Sequence, residues 1–201
     1  MKIIVFSSPE RKHMIDRLLI ELMGYDVTII DDPETFGKKN FWKRYKEAFD
    51  ICRESSHDWF MFLPDDIIRI DFELIEQFKQ IPNSNRIVLN ITSDNRDECW
   101  GNGYKRTADI LIGAYTLKNQ GFYDCGGIMH RNALEGIDME QIREGWFNRP
   151  EKSSGVGHQL TAKFRRKGVP MYRPFPSLCY HGNHESVMHP EERKKNPLIS
   201  K

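Results

Sequence analysis

The sequence predicts an α/β protein with a mostly parallel central sheet flanked by helices, on three observations. Short apolar runs alternate with longer helical patterns through the first 91 residues. The runs are apolar at consecutive positions, which is typical of strands buried on both faces. Proline and glycine stand where helical patterns begin and end. We therefore expect a βαβαβ arrangement of the kind found in nucleotide-binding α/β folds.

The first half of the chain contains four predicted strands and three predicted helices. Ser8 is a candidate N-cap with Pro9 at the first helical position, and Gly24 closes this helix. A strong helical spacing of apolar residues predicts the second helix, and a shorter one predicts the third. The strands are residues 2–6, 27–30, 59–63 and 86–91, and the second and third helices cover residues 41–52 and 72–78.

The second half is less regular. Residues 92–104 are polar and are predicted to form a long surface loop, a feature that is often functional. Further helical patterns cover residues 139–146 and 158–166. Closing strands are expected around Tyr172 and over residues 178–180, before a polar, basic tail over 183–201.

Composition restricts the function classes. The chain has 201 residues and a net charge of +1, so there is no overall electrostatic argument for nucleic acid or an acidic membrane surface. No apolar stretch approaches the roughly 20 residues that span a bilayer, and no signal peptide is predicted. The cysteines are scattered, which indicates a reducing cytoplasm and gives little support for zinc. They are Cys52, Cys99, Cys125 and Cys179.

Two adjacent carboxylates follow the third predicted strand. Asp65 and Asp66 come after a buried apolar run, with Pro64 between. Such carboxylates are costly unless a positive group lies beside them, and ligands bind at the carboxyl ends of strands in open α/β sheets. A divalent cation that holds a phosphate group is one explanation. A solvated turn is the alternative, because Pro-Asp-Asp is a common turn sequence.

Three segments, in order along the chain, resemble glycosyltransferases of the GT-A fold. Residues 7–11 (SSPER) are similar to the donor-nucleotide loop of that group, and residues 62–67 (FLPDDI) resemble its acidic metal-binding motif. Residues 177–186 (SLCYHGNHES) resemble its closing strand and loop. The resemblance implies one domain over 1–201, with a nucleotide-binding half to about residue 91, an acceptor half to about 182, and a tail or lid over 183–201. The first half lacks both GxGxxG and GxxxxGK[ST], so it has neither a dinucleotide fingerprint nor a phosphate loop.

The resemblance also implies site residues and a cofactor. Asp66 and His181 are the expected ligands of Mn²⁺ or Mg²⁺, and Asp65 is expected near the sugar or its ribose. The first acidic position of the family motif is Pro64 in this chain. The other expected donor contacts have ordinary alternatives as turn, capping or solvated residues. They are Ser7, Ser8, Arg11, Asp31, Asp32 and Lys43.

The catalytic base is absent from its usual place. Many inverting members carry Glu-Asp at a position that falls here on Val156 and Gly157. Asp124 and His158 are the two candidate bases, and a helix N-terminus favours the neutral form of a histidine. Each has an ordinary structural alternative, Asp124 as a turn former and His158 as a helix-start residue.

The expected function is metal-dependent sugar transfer from a UDP-, GDP- or TDP-linked donor to an acceptor hydroxyl. A glycan, a protein and modified DNA all remain open as acceptors. A nucleotidyltransferase on a related fold is one alternative, although it normally has a glycine-rich basic loop after the first strand. A non-catalytic module that binds a glycan or nucleic acid is the other alternative.

Overall fold

The computed structural model describes residues 1–31, 41–91, 108–119, 121–123, 125–142 and 155–181. The strands in these ranges are β1 Lys2–Ser7, β2 Asp26–Asp31, β3 Trp59–Pro64, β4 Ile67–Ile70, β5 Val88–Asn90, β6 Ile110–Ile112, β7 Tyr115–Asn119, β8 Gly127–His130, β9 Met171–Phe175 and β10 Cys179–His181. The α-helices are α1 Lys12–Glu21, α2 Phe41–Glu54, α3 Phe72–Gln80, α4 Arg131–Leu134 and α5 Val156–Arg166. None of the described helices is both long enough and apolar enough to span a bilayer.

The central sheet has eight strands in the order β2-β1-β3-β8-β5-β9-β7-β6. The α/β class with helices on a central sheet is confirmed. The sheet is mixed, however, and not mostly parallel: β1 pairs parallel with β2 and β3, whereas β8 lies antiparallel between β3 and β5. The apolar pattern of a short strand does not depend on the direction of the strand. The sequence therefore did not predict that β8 is antiparallel.

Both faces of the sheet are buried, as the apolar runs predicted. In β3, Phe60 and Phe62 join one core cluster and Met61 and Leu63 join the other. Side chains of a strand alternate between its two faces, so a continuous apolar run requires a cover on each side. Helices α2 and α5 contribute to the first cluster, and α1 and α3 contribute to the second.

Several elements differ from the prediction. The first helix begins as a 3-10 turn over Pro9–Arg11, and Ser8 precedes it without a side-chain capping bond. Strands β4, β6, β7 and β8 were not predicted, and β4 pairs with β10 in a separate two-stranded sheet. The helix predicted over 139–146 is a 3-10 turn at Met139–Gln141, and residues 143–146 lie outside the described ranges.

The carboxyl ends of β1, β2 and β3 lie at one edge of the sheet, called here the carboxyl edge. Parallel pairing sets Ser7 opposite Asp31 and Phe6 opposite Pro64. Because β8 runs antiparallel with Gly127 opposite Phe62, the residues just before β8 lie at this same edge. The fold therefore brings the ends of four strands together at the place where the sequence predicted a ligand site.

Candidate functional site

Asp65 and Asp66 form the tight turn between β3 and β4. Asp65 is 4% exposed and Asp66 is fully buried. Strand β3 belongs to the central sheet and β4 to the small sheet, so the chain changes sheets at these two residues. The prediction of a turn is correct for the backbone. The prediction that this turn is solvated is wrong, because both carboxylates are buried.

The positive group beside the two carboxylates is Arg11. Its Nη1 lies 3.0 Å from Asp65 Oδ1 and 3.1 Å from Asp66 Oδ2. Arg11 is the last residue of the 3-10 turn that follows β1, and its side chain is 11% exposed. The interpretation of Arg11 as a merely solvated residue is therefore wrong, since a single guanidinium nitrogen bridges two buried carboxylates.

The end of β1 completes this cluster. The backbone N–H of Ser8 donates to Asp65 Oδ2 at 2.9 Å, and the Ser8 hydroxyl lies 3.5 Å from the same oxygen. Ser7 is 4% exposed, and among the described residues nothing hydrogen-bonds its Oγ. Buried hydroxyls are nearly always bonded, so an unpaired one at a candidate site is compatible with a missing ligand.

The pKa of Asp65 is raised above its ordinary value. Burial is the main cause, and the negative charge of Asp66 acts in the same direction. The Ser8 N–H and the Arg11 guanidinium oppose the shift. The carboxyl end of β3 is thus a place where negative charge is held at an energetic cost, and additional positive charge is favourable there.

The other expected donor contacts are placed only in part. Asp31 ends β2 with an exposed side chain, and Lys43 is exposed on the first turn of α2 with its Nζ 5.9 Å from the Trp42 ring centre. Asp32 lies outside the described residues. Asp31 is the last residue of β2 and Lys43 follows that strand along the chain, but no described contact joins either to the acidic pair.

The expected metal ligand His181 ends β10. The strand register sets its backbone opposite Ile67, the residue after Asp66, and its side chain lies outside the described part of the structure. The backbones of the two expected ligands are therefore neighbours. Among described side chains there is no group of three or more histidine, cysteine or carboxylate residues that is arranged to hold a metal ion.

The segment before β8 packs on the first turn of α5. A Cβ on Gly157 would come within 2.7 Å of the Tyr123 carbonyl oxygen and 3.0 Å of Cys125 Sγ. Thr161 Oγ1 accepts a hydrogen bond from the Tyr123 N–H at 2.9 Å. Asp124 lies outside the described residues, but its two neighbours in sequence are fixed against the helix that carries His158.

Sequence reasoning missed the role of one buried tyrosine. Tyr45 belongs to the apolar spacing that predicts α2, and it is fully buried. Its hydroxyl donates to the Cys125 carbonyl and lies 3.0 Å from the Tyr123 hydroxyl. A buried tyrosine usually needs a partner for its hydroxyl, and this need was the only available sign that α2 positions the 121–125 segment.

His158 lies in the first turn of α5 with an exposed side chain. Partial desolvation lowers its pKa, and the positive charge of Arg165 acts in the same direction. The histidine is therefore predominantly neutral near pH 7, which is the form that accepts a proton. The structure gives no contact between His158 and the acidic pair.

The paired glycines before and within β8 serve packing. A Cβ on Gly126 would lie 2.7 Å from Ile91 Cδ1, and one on Gly127 would lie 2.9 Å from both the Leu89 oxygen and Tyr123 Cε2. Paired glycines in a sequence indicate a place where a backbone and a ligand can approach closely. The groups that approach them are instead the neighbouring strand β5 and the residues around it.

A separate cavity lies at the opposite end of β3. It is bounded by the end of α2 and by α4, which starts after His130, the partner of Trp59 at the start of β3. Its arginines are bound to backbone carbonyls: Arg53 to Ile137 at 3.1 Å, and Arg131 to His57 at 2.8 Å. The two arginines therefore bind loop backbone. The cavity is remote from the carboxyl edge.

The comparisons with known proteins give likenesses to solved structures alone. No family model matches the sequence, and no curated protein matches it. One similar solved structure is a glycosyltransferase involved in the glycosylation of the major capsid of PBCV-1, with a TM-score of 0.45 and 12% identity over 96% of this chain and 90% of that one. At this similarity nothing about function passes from that protein to this chain, whose chemistry has to be derived from its own residues.

Proposed function

We propose that this protein is a GT-A glycosyltransferase that moves a sugar from a nucleoside-diphosphate sugar to an acceptor hydroxyl, assisted by Mn²⁺ or Mg²⁺. One observation carries the proposal. Asp65 and Asp66 are buried at the carboxyl edge, beside Arg11 and the end of β1. In open α/β sheets this edge is the ligand-binding edge. A cluster of mixed charge there suits a ligand that carries both a diphosphate and its cation.

The residues present fit a divalent cation by their chemistry. Carboxylate oxygens are the ligands that Mn²⁺ and Mg²⁺ prefer, and imidazole also suits Mn²⁺. The raised pKa of Asp65 and the unpaired Ser7 hydroxyl favour an additional cationic or polar group at this place. Asp66 and His181 would hold the cation. When bound, it neutralises negative charge on the diphosphate leaving group.

The donor would be held by the groups at the ends of β1 and β2. In our proposal Ser7, Ser8 and Arg11 contact the phosphates, because hydroxyl, N–H and guanidinium groups all donate to phosphate oxygens. Asp65 accepts hydrogen bonds from the sugar or the ribose, and the residues after β2 bind the nucleoside. The latter are Asp31, Asp32 and Lys43.

The acceptor would enter from the side of the 121–125 segment and α5. Its hydroxyl oxygen attacks the anomeric carbon, the bond from that carbon to the diphosphate oxygen breaks, and the nucleoside diphosphate leaves. Asp124 or His158 takes the hydroxyl proton. The lowered pKa and exposure of His158 support it as a proton acceptor. A glycan, a protein and modified DNA are the acceptor classes to test.

We propose a reducing, cytoplasmic setting for this reaction. Cys52, Cys125 and Cys179 are free thiols. Burial raises the pKa of the Cys52 thiol to about 12, so it is unreactive at neutral pH. Free cysteines of this kind are usual where thiols are kept reduced.

A ligand panel tests the proposal. Thermal unfolding is followed with UDP-, GDP-, TDP- and CMP-linked sugars, each with Mn²⁺, Mg²⁺ or EDTA. A ligand that binds the folded protein at about 100 times its Kd adds about 2.7 kcal/mol to the free energy of unfolding. We expect a cation-dependent rise in Tm with one nucleotide class, and release of nucleoside diphosphate when a matching acceptor is added.

Paired variants make the result specific to the site. Asp66→Ala should abolish the cation-dependent shift, whereas Asp16→Ala, which removes an exposed carboxylate from α1, should leave it unchanged. Pyrophosphate formation from a nucleoside triphosphate and a sugar phosphate would identify a nucleotidyltransferase instead. Tm values that stay constant with every nucleotide, with and without acceptor, would contradict both enzymes and favour a binding module.

A further inference from the structure

One nitrogen of Arg11 occupies the space between the two carboxylates. Nη1 lies 3.0 Å from Asp65 Oδ1 and 3.1 Å from Asp66 Oδ2. The side chains of Arg11, Asp65 and Asp66 are 11%, 5% and 0% exposed. The guanidinium is thus a buried internal cation that bridges the acidic pair in the ligand-free protein.

This bridge uses an oxygen of Asp66 that a divalent cation would need. The second oxygen of Asp65 already accepts the Ser8 N–H at 2.9 Å. A guanidinium and a metal ion a few ångströms apart repel each other where water is excluded, so Arg11 and a divalent cation compete for Asp66.

Arg11 is also well placed to bind phosphate. It ends a single 3-10 turn directly after β1, so its long side chain starts at the carboxyl edge itself. The planar guanidinium matches the spacing of phosphate oxygens and binds two of them at once. At the end of β1, the buried Ser7 hydroxyl has no hydrogen-bond partner among the described residues.

We propose that Arg11 is an exchangeable cation, an inference that rests on the proposed function for the identity of its ligand. In the free protein it holds Asp65 and Asp66 together. When the divalent cation and a nucleoside diphosphate bind, the cation replaces the guanidinium at Asp66, and the guanidinium leaves both carboxylates and passes to the diphosphate. Each ligand then favours the other, because the diphosphate binds the guanidinium that the cation displaces.

Direct binding measurements test the exchange. Electron paramagnetic resonance measures Mn²⁺ binding to the full chain, and calorimetry measures UDP, GDP and TDP binding with saturating Mg²⁺. We expect Arg11→Gln to bind Mn²⁺ alone about tenfold or more tightly than the wild type, and to bind the diphosphate about tenfold or more weakly. Arg17→Gln removes the same charge from the exposed face of α1 and should change neither affinity.

A second variant is needed in case Arg11→Gln does not fold. Arg11→Gln leaves two buried carboxylates side by side, so circular dichroism checks that it is folded before binding is measured. Arg11→Lys keeps the positive charge but lacks the planar fork. We expect it to bind Mn²⁺ alone as weakly as the wild type does, and to bind the diphosphate more weakly than the wild type. This pair of results decides the question if Arg11→Gln does not fold.

The outcomes separate the exchange from the proposed function. Unchanged or weaker Mn²⁺ binding in folded Arg11→Gln, with intact diphosphate binding in the wild type, would overturn the exchange and leave the glycosyltransferase standing. Tighter Mn²⁺ binding in Arg11→Gln, with no nucleotide bound by any variant, would support the displacement of Arg11 by the cation and overturn the glycosyltransferase. A loss of both affinities in Arg11→Gln would identify Arg11 as a fixed structural group.

Discussion

Buried charge is the dominant feature at the scale of single residues. Asp65, Asp66 and Arg11 lie together with little solvent, and desolvation makes each charge unfavourable without its partners. Burial raises the pKa of Asp65 even with Arg11 beside it. Replacing a buried ion pair by apolar side chains is often neutral or stabilising, so stability alone does not explain these charges, and our proposal assigns them to ligand binding.

The coupling between Arg11 and Asp65 is measurable. Arg11→Gln should lower the free energy of unfolding by about 3–5 kcal/mol, because it leaves uncompensated buried charge. In the double variant Arg11→Gln/Asp65→Asn one of those charges is gone, so the loss should be smaller than the sum of the single losses. Urea denaturation of the four proteins in the cycle gives the coupling energy.

The matched control is Arg17→Gln, which should stay within about 0.5 kcal/mol of the wild type because that side chain is exposed. Strict additivity of the Arg11 and Asp65 variants would mean that the ion pair contributes nothing to folding.

At the scale of elements, Asp71 connects three parts of the fold. Its carboxylate caps α3 by accepting the Leu74 N–H at 3.0 Å, and it also accepts the Tyr115 hydroxyl of β7. Its own backbone N–H donates to the Leu178 carbonyl, just before β10, at 3.0 Å. Partial burial acts to raise the pKa of Asp71, but the hydrogen bonds from Tyr115 and Leu74 outweigh it and the pKa is lowered. The same bond raises the pKa of Tyr115 to about 12.

The lowered pKa of Asp71 predicts a pH dependence of stability. A carboxyl group with a lowered pKa in the folded state contributes stability above its ordinary pKa of 3.8, and this contribution is lost as the pH falls through the folded value. Asp71→Asn keeps a capping side chain but removes the charge. We expect it to be about 1 kcal/mol less stable than the wild type at pH 7, with the difference narrowing below pH 3.8.

Urea denaturation of both proteins from neutral pH to the acid limit of folding checks this prediction. Glu73→Gln, which removes another carboxylate from the first turn of the same helix, serves as the charge control. A difference between Asp71→Asn and the wild type that is constant with pH would assign the effect to capping geometry alone.

At the scale of the whole molecule, the mixed sheet assembles the candidate site. The acidic pair follows β3, Arg11 follows β1, and the segment before β8 reaches the same edge because β8 is antiparallel. A parallel β8 would begin at the other end of the sheet and would place that segment away from Asp65. The reversed strand is thus what brings the donor and acceptor sides together in our proposal.

Gly127 is the position at which this arrangement is most easily disturbed. It lies between β3 and β5, opposite Phe62 and Asn90, and an added Cβ would come within 2.9 Å of the Leu89 carbonyl oxygen. Because that oxygen belongs to the backbone, it cannot move aside without shifting β5. We expect Gly127→Ala to lower the free energy of unfolding by about 1–3 kcal/mol, measured by thermal or urea denaturation.

Gly136→Ala is the comparison that measures backbone strain without steric contact. Among the described residues no atom lies within 4 Å of a Cβ added at Gly136, but the φ of Gly136 is +70°. Unchanged stability of Gly127→Ala would mean that β8 and β5 adjust freely and that the close approach is not required.

The sequence by itself determined the elements whose signals are local and strong. The apolar runs of β1 and β3, the amphipathic spacing of α2, and Gly24 after α1 with its φ of +93° are all properties of short stretches of chain. Two adjacent carboxylates after a buried strand were equally visible, because charge in that context requires compensation. These features depend on residues close together in sequence, where periodicity and composition are informative.

The tertiary structure decided everything that depends on pairing across the chain. Arg11 and Asp65 are 54 residues apart, and no local pattern shows that the group neutralising the acidic pair is a guanidinium of this protein. The same holds for the direction of β8, the pairing of β4 with β10, and the bond from Tyr45 to Cys125. Short strands and single ion pairs carry no period, so only the folded chain, in which distant segments share one edge of a sheet, defines them.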